Sequence, residues 1–185
     1  VFRTDDGGIT WTTKNTGVPR TVEDEHIDDI VYCVHCLVQD VEDPQRLYRQ
    51  EHQGVFRSED GGDSWERTEQ GLPAAFGFPI VQDAHTRRLF VVPLESDENR
   101  LPVDGAFRVY RSEDHGDTWQ VSGSGHPDSA TFTTVLRGAK DTDQRSGIYL
   151  GTTAGKVVST TDAGDTWTNL PGTLPRILSV RVLVS

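Results

Sequence analysis

A nine-residue pattern occurs four times in this chain and decides its fold. The second copy reads Arg57-Ser-Glu-Asp-Gly-Gly-Asp-Ser-Trp65 and the third reads Arg111-Ser-Glu-Asp-His-Gly-Asp-Thr-Trp119. The first and fourth copies are Arg3-Thr-Asp-Asp-Gly-Gly-Ile-Thr-Trp11 and Ser159-Thr-Thr-Asp-Ala-Gly-Asp-Thr-Trp167. The four tryptophans of the chain close these copies, at intervals of 54, 54 and 48 residues. Such regular spacing is typical of a repeat protein with one structural unit for every copy.

Each position of this pattern, which we call the box, has a structural role in the turn of a β-hairpin. We expect the aspartate to accept hydrogen bonds from backbone N–H groups of the turn and the glycine to adopt a positive φ angle. We expect the tryptophan to begin the returning strand and to bury its ring between neighbouring sheets. The predicted structural residues are Thr4, Asp6, Gly8, Thr10, Trp11, Ser58, Asp60, Gly62, Ser64, Trp65, Ser112, Asp114, Gly116, Thr118, Trp119, Thr160, Asp162, Gly164, Thr166 and Trp167.

A calcium-binding loop is the alternative interpretation of the box, because Glu59, Asp60 and Asp63 bring acidic groups together. The chain lacks the alternating aspartate ligands and the closing glutamate of such a loop. The structural interpretation is therefore preferred.

The stretches around and between the boxes predict an all-β fold. Each box is flanked by short strand-like runs, and two more such runs precede it in each unit, such as Ile30–Val38 with Arg46–Gln50 and Phe132–Arg137 with Ile148–Thr152. Four short strands repeated at this period indicate a β-propeller built from four-stranded blades. The predicted parts are residues 1–20 (the end of one blade), 27–70, 77–122 and 131–170 (three blades) and 177–184 (a closing strand).

The number of blades predicts that the chain is the C-terminal part of a larger propeller. The units add up to about 3.6 blades, fewer than the usual 4–8. The remainder of the propeller is expected upstream, and its strands would pair with the closing strand.

The composition excludes two classes of partner. The chain has 18 basic and 29 acidic residues, a net charge of −11, so nucleic acid and anionic membranes are not expected to bind. No apolar run reaches the ~18 residues that a membrane helix needs. We expect a soluble protein without a cofactor, and the compartment stays open with a lean towards the bacterial cytoplasm.

The cysteines and histidines do not predict a metal site. Cys33 and Cys36 lie in a predicted strand, where residues three apart point to opposite faces, roughly 10 Å from each other. A disulfide needs Cα atoms within about 7 Å, so neither a disulfide nor a Cys-x-x-Cys metal or redox site with His35 between them is expected. His26 has acidic neighbours on both sides, but their spacing fits no metal template.

The boxes are similar to the bacterial-neuraminidase repeat, also called the BNR or Asp-box repeat. This repeat occurs in sialidases, other glycoside hydrolases, sortilin-type receptors and photosystem assembly factors. The stretches His52–Ser58, Phe76–Pro79, Val92–Glu95 and Leu174–Arg181 resemble bacterial proteins described as sialidase-like or BNR-repeat glycosyl hydrolases. The resemblance implies a propeller and, if the protein is an enzyme, an exo-sialidase-like glycoside hydrolase. The alternatives are a non-catalytic propeller that binds protein or glycan, and an assembly scaffold.

The catalytic set of the sialidases cannot be assigned to this chain, and its catalytic residues are unknown. Sialidases have an arginine triad, a Tyr–Glu nucleophile pair, an aspartate acid and an early Arg-Ile-Pro motif. This motif is absent, and Pro175-Arg176-Ile177 has the wrong order. Arg137, Arg176 and Arg181 are candidates for a triad, and pairing with surface acids is the alternative.

The blade topology predicts where a ligand would bind. Alternate turns of an up-and-down blade lie on opposite faces, and in sialidases the boxes lie on the face away from the active site. On that other face, the loops combine acidic, basic and imidazole groups, the ingredients of acid–base chemistry. The candidate binding rim is Arg49, Glu51, His52, Glu95, Asp97, Glu98 and Arg100. A glycan or protein ligand at the propeller mouth is the expected partner, and a solvated charged loop is the alternative.

Overall fold

The computed structural model describes residues 1–19, 33–127, 133–142 and 146–183. These residues form a two-stranded hairpin followed by three four-stranded antiparallel sheets, each with its strands in chain order. The hairpin contains β1 (Phe2–Arg3) and β2 (Thr12–Thr13), and the second blade contains β3 (Val34–Gln39), β4 (Leu47–Glu51), β5 (Gly54–Ser58) and β6 (Glu66–Arg67). The third blade contains β7 (Gly77–Gln82), β8 (Leu89–Pro93), β9 (Tyr110–Ser112) and β10 (Gln120–Val121). The fourth contains β11 (Val135–Lys140), β12 (Ile148–Thr152), β13 (Val157–Thr160) and β14 (Thr168–Asn169).

The predicted all-β architecture of four-stranded blades is confirmed. Strand β7 contacts both β3 and β11, so the first strands of successive blades lie side by side, as the inner strands of a propeller do. One short 3₁₀ turn, Val103–Gly105, interrupts the loop between β8 and β9. None of the described segments forms a helix with the length and hydrophobicity needed to cross a bilayer.

The predicted closing strand is not a strand in this structure. Residues 177–183 have no β-pairing, although the N–H of Ile177 donates to the carbonyl oxygen of Thr152 at 3.2 Å. The role of this segment in closing a ring stays a prediction, because strands from the N-terminal side of a larger propeller would have to supply its partners.

The boxes form the predicted hairpin turns. In the second copy, the carboxylate of Asp60 accepts the backbone N–H of Ser64 at 2.8 Å and its hydroxyl at 2.6 Å, while Ser58 Oγ accepts the N–H of Gly62 at 2.8 Å. The other three copies repeat this network. All four box glycines have φ between +83° and +95°. The turn is therefore held by hydrogen bonds among its own polar groups.

Tryptophan burial follows the prediction in three copies and departs from it in the first. The exposed fractions of Trp65, Trp119 and Trp167 are 4%, 4% and 1%, whereas Trp11 is 59% exposed. Each buried ring packs against the residues that follow the last strand of the preceding blade, which we call its exit segment. Trp119 Nε1, for example, donates to the Thr68 carbonyl at 2.8 Å. The predicted burial of Trp11 is not seen in this structure, where no other described segment covers its ring.

An ion-pair ladder also joins successive boxes. The arginine that opens a box reaches the aspartate at the seventh position of the next one: Arg57 lies 2.8 Å from Asp117, and Arg111 lies 2.6 Å from Asp165. The ladder does not extend past the first and fourth copies, where Ile9 replaces the aspartate and Ser159 replaces the arginine. Ring packing and ion pairs together set the spacing between neighbouring blades.

Candidate functional site

The blade topology separates two faces of the molecule. The boxes join the third and fourth strands of each blade, and we call that side the box face. Because neighbouring strands are antiparallel, the turns between second and third strands and the links between blades lie on the other side, which we call the opposite face. On the box face, the box carboxylates are used within their turns and the ladder arginines in ion pairs between boxes, whereas a different set of groups meets on the opposite face.

Aromatic and imidazole rings from two blades meet on the opposite face. The ring centroid of His35 lies 4.8 Å from that of His52 and 4.5 Å from that of Phe78, on which it stacks. Phe76 approaches His52 edge-on at 5.3 Å and Phe78 at 5.3 Å. We call the following group the opposite-face cluster: Cys33, His35, His52, Phe76, Phe78, Asp97 and Arg100.

Irregularities in the inner strands aim two of these rings at each other. The pairing of β3 with β4 shifts register between Val34 and Cys36, which makes His35 the extra residue, and the pairing of β7 with β8 shifts between Gly77 and Ile80, around Phe78. A β-bulge re-aims side chains and is common next to active sites. The stacking of His35 on Phe78 thus comes from two bulges in neighbouring inner strands.

The loop between β8 and β9 supplies the charged members of the cluster. It folds back on itself, since the N–H of Glu95 donates to the Leu101 carbonyl at 2.9 Å and Arg100 Nε donates to the Asp97 carbonyl at 3.0 Å. This fold places an Asp97 carboxylate oxygen 3.4 Å from His52 Nδ1 and the Arg100 guanidinium 5.5 Å from the centre of the Phe78 ring. The cluster therefore combines packed aromatic and imidazole rings with one carboxylate and one guanidinium.

The environment of His35 favours the neutral form of its imidazole. Burial lowers the pKa of His35 most strongly, and the nearby charges of His52, Arg100 and Arg137 lower it further, against the opposing effect of a hydrogen bond to the Gly77 carbonyl. That bond is 2.6 Å long and runs from His35 Nδ1. Because a carbonyl oxygen only accepts, Nδ1 carries the proton and Nε2 keeps a free lone pair.

The structure brings three of the seven predicted rim residues together. His52, Asp97 and Arg100 belong to the cluster, with side-chain exposures of 30% for His52 and 50% for Asp97. Glu95 and Glu98 are exposed members of the same loop. The remaining two, Arg49 and Glu51, are not on an exposed rim.

Arg49 and Glu51 form a buried pair inside the second blade, which corrects their predicted placement. Arg49 Nη2 lies 2.7 Å from Glu51 Oε2, and the guanidinium lies 4.7 Å from the ring centre of Trp65. Arg49 Nη1 also donates to Asn15 of the first hairpin at 3.1 Å. Burial raises the pKa of Glu51, and Arg49 opposes that shift. The first hairpin covers this end of β4, so these charges connect blades instead of facing a ligand.

Four members of the cluster were missed at the sequence level: Cys33, His35, Phe76 and Phe78. One signal was available for the first two, since residues two apart in an extended segment share a face. Cys36 lies elsewhere, beside the core, with Sγ 3.5 Å from the Ile80 carbonyl oxygen. Cys33 and Cys36 thus do not form a pair, and it is Cys33 that lies with His35 and His52.

Of the three candidate triad arginines, one reaches the cluster. Arg137 donates to the backbone carbonyl of His35, and Arg176 and Arg181 lie in the exposed C-terminal segment. The acidic stretch around His26 lies outside the described residues.

The cluster offers two kinds of chemistry. His52 and Asp97 form an imidazole–carboxylate pair of the type used in proton transfer. Cys33, His35 and His52 each present one possible metal-ligand atom, and these atoms lie within 4.8 Å of one another.

Comparisons with known proteins agree with the repeat and the fold. The profile of the BNR/Asp-box repeat family matches residues 2–13. A xyloglucanase from Paenibacillus sp is 29% identical over 171 residues, which covers 75% of this chain and 16% of that protein. The chain therefore spans about one sixth of the length of the curated relative it matches.

Two solved structures share the fold. The GH74 xyloglucanase from Xanthomonas campestris superposes with a TM-score of 0.62 at 15% identity, over 92% of this chain and 26% of that one. An ancestral GH74 enzyme superposes with a TM-score of 0.58 at 17% identity, over 75% of this chain and 18% of that one. The chain therefore carries BNR/Asp-box repeats, and its described blades have the β-propeller fold of these structures.

Proposed function

We propose that this chain is part of a glycoside hydrolase that acts on a polysaccharide, with the opposite face as its glycan-binding surface. The observation that carries the proposal is the 29% identity to a xyloglucanase over three quarters of the chain. Xyloglucan is therefore the first substrate to test, ahead of the sialosides that the box motif alone suggested.

The composition of the opposite-face cluster supports a sugar ligand. Aromatic side chains bury large contact areas, and the partly buried rings of Phe78 and His35 stack on each other where two blades meet. Asp97 and Arg100 supply charged hydrogen-bonding groups beside those rings. Sugar recognition commonly needs both: an apolar surface for the ring face and polar groups for the hydroxyls.

The cluster contributes one carboxyl group to any hydrolytic reaction. Most glycoside hydrolases use two, about 5–5.5 Å apart in retaining enzymes and about 6.5–9.5 Å apart in inverting ones. In the cluster, Asp97 is the carboxylate, and its contact with His52 places a second titratable group next to it. A hydrolase that uses Asp97 would take its other carboxyl group from another part of the propeller.

The test is an assay of glycan hydrolysis by the purified protein that contains this sequence. Release of reducing ends should be measured on xyloglucan, on carboxymethyl cellulose and on a sialoside, with Asp97→Asn as the site variant. Glu98→Gln is the matched control, because Glu98 is an exposed acid one position away in the same loop. We expect xyloglucan cleavage that Asp97→Asn lowers and Glu98→Gln leaves unchanged.

A non-catalytic glycan-binding propeller is the second candidate, favoured by the single carboxylate of the cluster. It predicts that xyloglucan oligosaccharides bind without being cleaved and that Phe78→Ala weakens this binding. The absence of both cleavage and binding on every glycan would contradict both candidates.

A further inference from the structure

Three side chains of the opposite-face cluster offer metal-ligand atoms, a role that the glycan proposal does not assign to them. Cys33 and His35 come from the inner edge of the second blade, and His52 comes from the β4–β5 turn of the same blade. We propose that Cys33, His35 and His52 bind a zinc ion, with one coordination position left open to solvent. This proposal stands independently of any hydrolase activity.

The three ligand atoms lie close together. One ligand atom from each of the three residues lies within 4.8 Å of the other two. In a tetrahedral zinc site with bonds of about 2.0–2.3 Å, ligand atoms are about 3.3–3.7 Å apart. The three groups must close by about 1 Å to reach this geometry. Cys33 is exposed and His52 is partly exposed, so rotation of their side chains meets little resistance from packing.

The imidazole rings of His35 and His52 are oriented as in metal-binding histidines. Histidines that bind metals usually donate their other ring N–H to a carbonyl or carboxylate, which fixes the ring and its tautomer. His35 Nδ1 lies 2.6 Å from the Gly77 carbonyl oxygen, and His52 Nδ1 lies 3.4 Å from the Asp97 carboxylate. Both rings therefore have an outer partner for Nδ1, which leaves Nε2 as the metal-binding atom.

The chemical types of the three ligands favour zinc. One thiolate and two imidazoles suit zinc, whereas magnesium and calcium prefer oxygen ligands. Cys33 loses its proton on binding and, with Asp97, offsets the positive charges of Arg100 and Arg137 beside His35. Three protein ligands leave one position of a tetrahedron open, where water binds and becomes more acidic.

Cobalt(II) is the probe for this site, because tetrahedral cobalt–thiolate centres have intense visible bands and a near-ultraviolet charge-transfer band. The experiment titrates the purified protein with cobalt and then displaces it with zinc. We expect one equivalent to bind with a thiolate band, and zinc to abolish the spectrum. Wild-type protein that takes up no cobalt and no zinc would overturn the proposal.

The two cysteines provide a matched pair of variants. Cys33→Ser should lose the thiolate band, while Cys36→Ser should keep it, because Cys36 packs against the core on the other side of the strand. Loss of the band in Cys36→Ser, or its survival in Cys33→Ser, would contradict the assigned ligands. Far-ultraviolet circular dichroism of each variant checks that the fold is kept.

A variant of a residue that positions a ligand distinguishes a specific zinc site from nonspecific binding of zinc by the Cys33 thiol. Asp97→Asn keeps the three ligands but weakens the outer partner of His52, so zinc affinity should fall by about 10–100-fold. Glu98→Gln in the same loop should not change it. Equal affinities for these two variants would show that Asp97 does not orient His52 and would overturn the arrangement proposed here.

Discussion

The box face and the opposite face of this propeller differ in how their polar residues are used. On the box face, the same residues recur in each unit, and each box carboxylate accepts hydrogen bonds within its own turn. On the opposite face, the clustered residues do not follow the repeat: two histidines, two phenylalanines, one cysteine, one aspartate and one arginine, from β3, from β7 and from loops of that face. Residues that repeat hold the blades together, and residues that do not repeat form the candidate site. A search for function in a repeat protein should therefore begin at positions that break the repeat.

The largest effect should come from a buried box tryptophan. Trp167 is 1% exposed, meets Phe90 edge-on at a centroid distance of 5.8 Å and donates to Ser122. Trp167→Ala should lower the free energy of unfolding by about 3–5 kcal/mol, the usual cost of deleting a buried aromatic ring. Trp11→Ala is the control, because Trp11 is 59% exposed, and it should cost less than about 0.5 kcal/mol.

Urea unfolding followed by circular dichroism measures both changes. Equal losses for the two variants would mean that Trp11 is also packed, which contradicts the described difference between the first box and the fourth.

The next effect should come from the glycines that follow the boxes. Gly71 has φ +95°, and a Cβ there would lie 2.2 Å from the carbonyl oxygen of Trp119. Gly172 has nearly the same φ, +96°, with no atom within 4 Å of that point. Both alanine variants bear the cost of a positive φ, but Gly71→Ala adds overpacking, worth typically 1–3 kcal/mol.

The difference between these two variants isolates the contact between blades from backbone strain. We expect Gly71→Ala to have the lower urea midpoint. Coinciding midpoints would show that the third blade does not press against the exit segment of the second.

A smaller effect concerns the pKa of the box aspartates. The hydrogen bond from the Ser64 hydroxyl, helped by the backbone N–H of the same residue, lowers the pKa of Asp60 to about 2. Asp6, in the exposed first box, also has a pKa of about 2, because Thr10 makes the same bonds. A pKa below the unfolded value of about 3.9 means that this stabilisation is complete above about pH 4 and is lost as the pH falls through about 2.

The carboxyl ¹³C resonances of the two aspartates test this origin. Ser64→Ala should move the titration of Asp60 up towards its ordinary value and leave that of Asp6 unchanged. A wild-type Asp60 that titrates near pH 4 would contradict the hydrogen-bond network of the box.

The smallest effect on stability should come from the opposite face. Asp97 is half exposed, and its pairing with His52 at 3.4 Å is of a kind worth about 0–1 kcal/mol. Asp97→Asn should therefore leave the urea midpoint nearly unchanged while it alters ligand binding. A large loss of stability would show that the loop of residues 95–101 is structural and would weaken the contrast between the faces.

The sequence predicted the box face well and the opposite face only in part. The spacing of Asp60, Gly62 and Trp65 determines a turn through local hydrogen bonds and backbone geometry, so the pattern alone was sufficient. The stacking of His35 on Phe78 depends on bulges in two strands, and no local sequence pattern predicts these register shifts. The charged character of Arg49 and Glu51 suggested exposure, but burial is decided by the neighbouring hairpin.

NMR mapping of the binding surface would show directly whether the ligand site lies on the opposite face. The ¹⁵N-labelled chain would be titrated with a xyloglucan oligosaccharide while its backbone amide shifts are followed. We expect the largest shifts at His35, His52, Phe78 and Arg100, with the box glycines unmoved. Shifts centred on Gly62, Gly116 and Gly164 would place the ligand on the box face and contradict it.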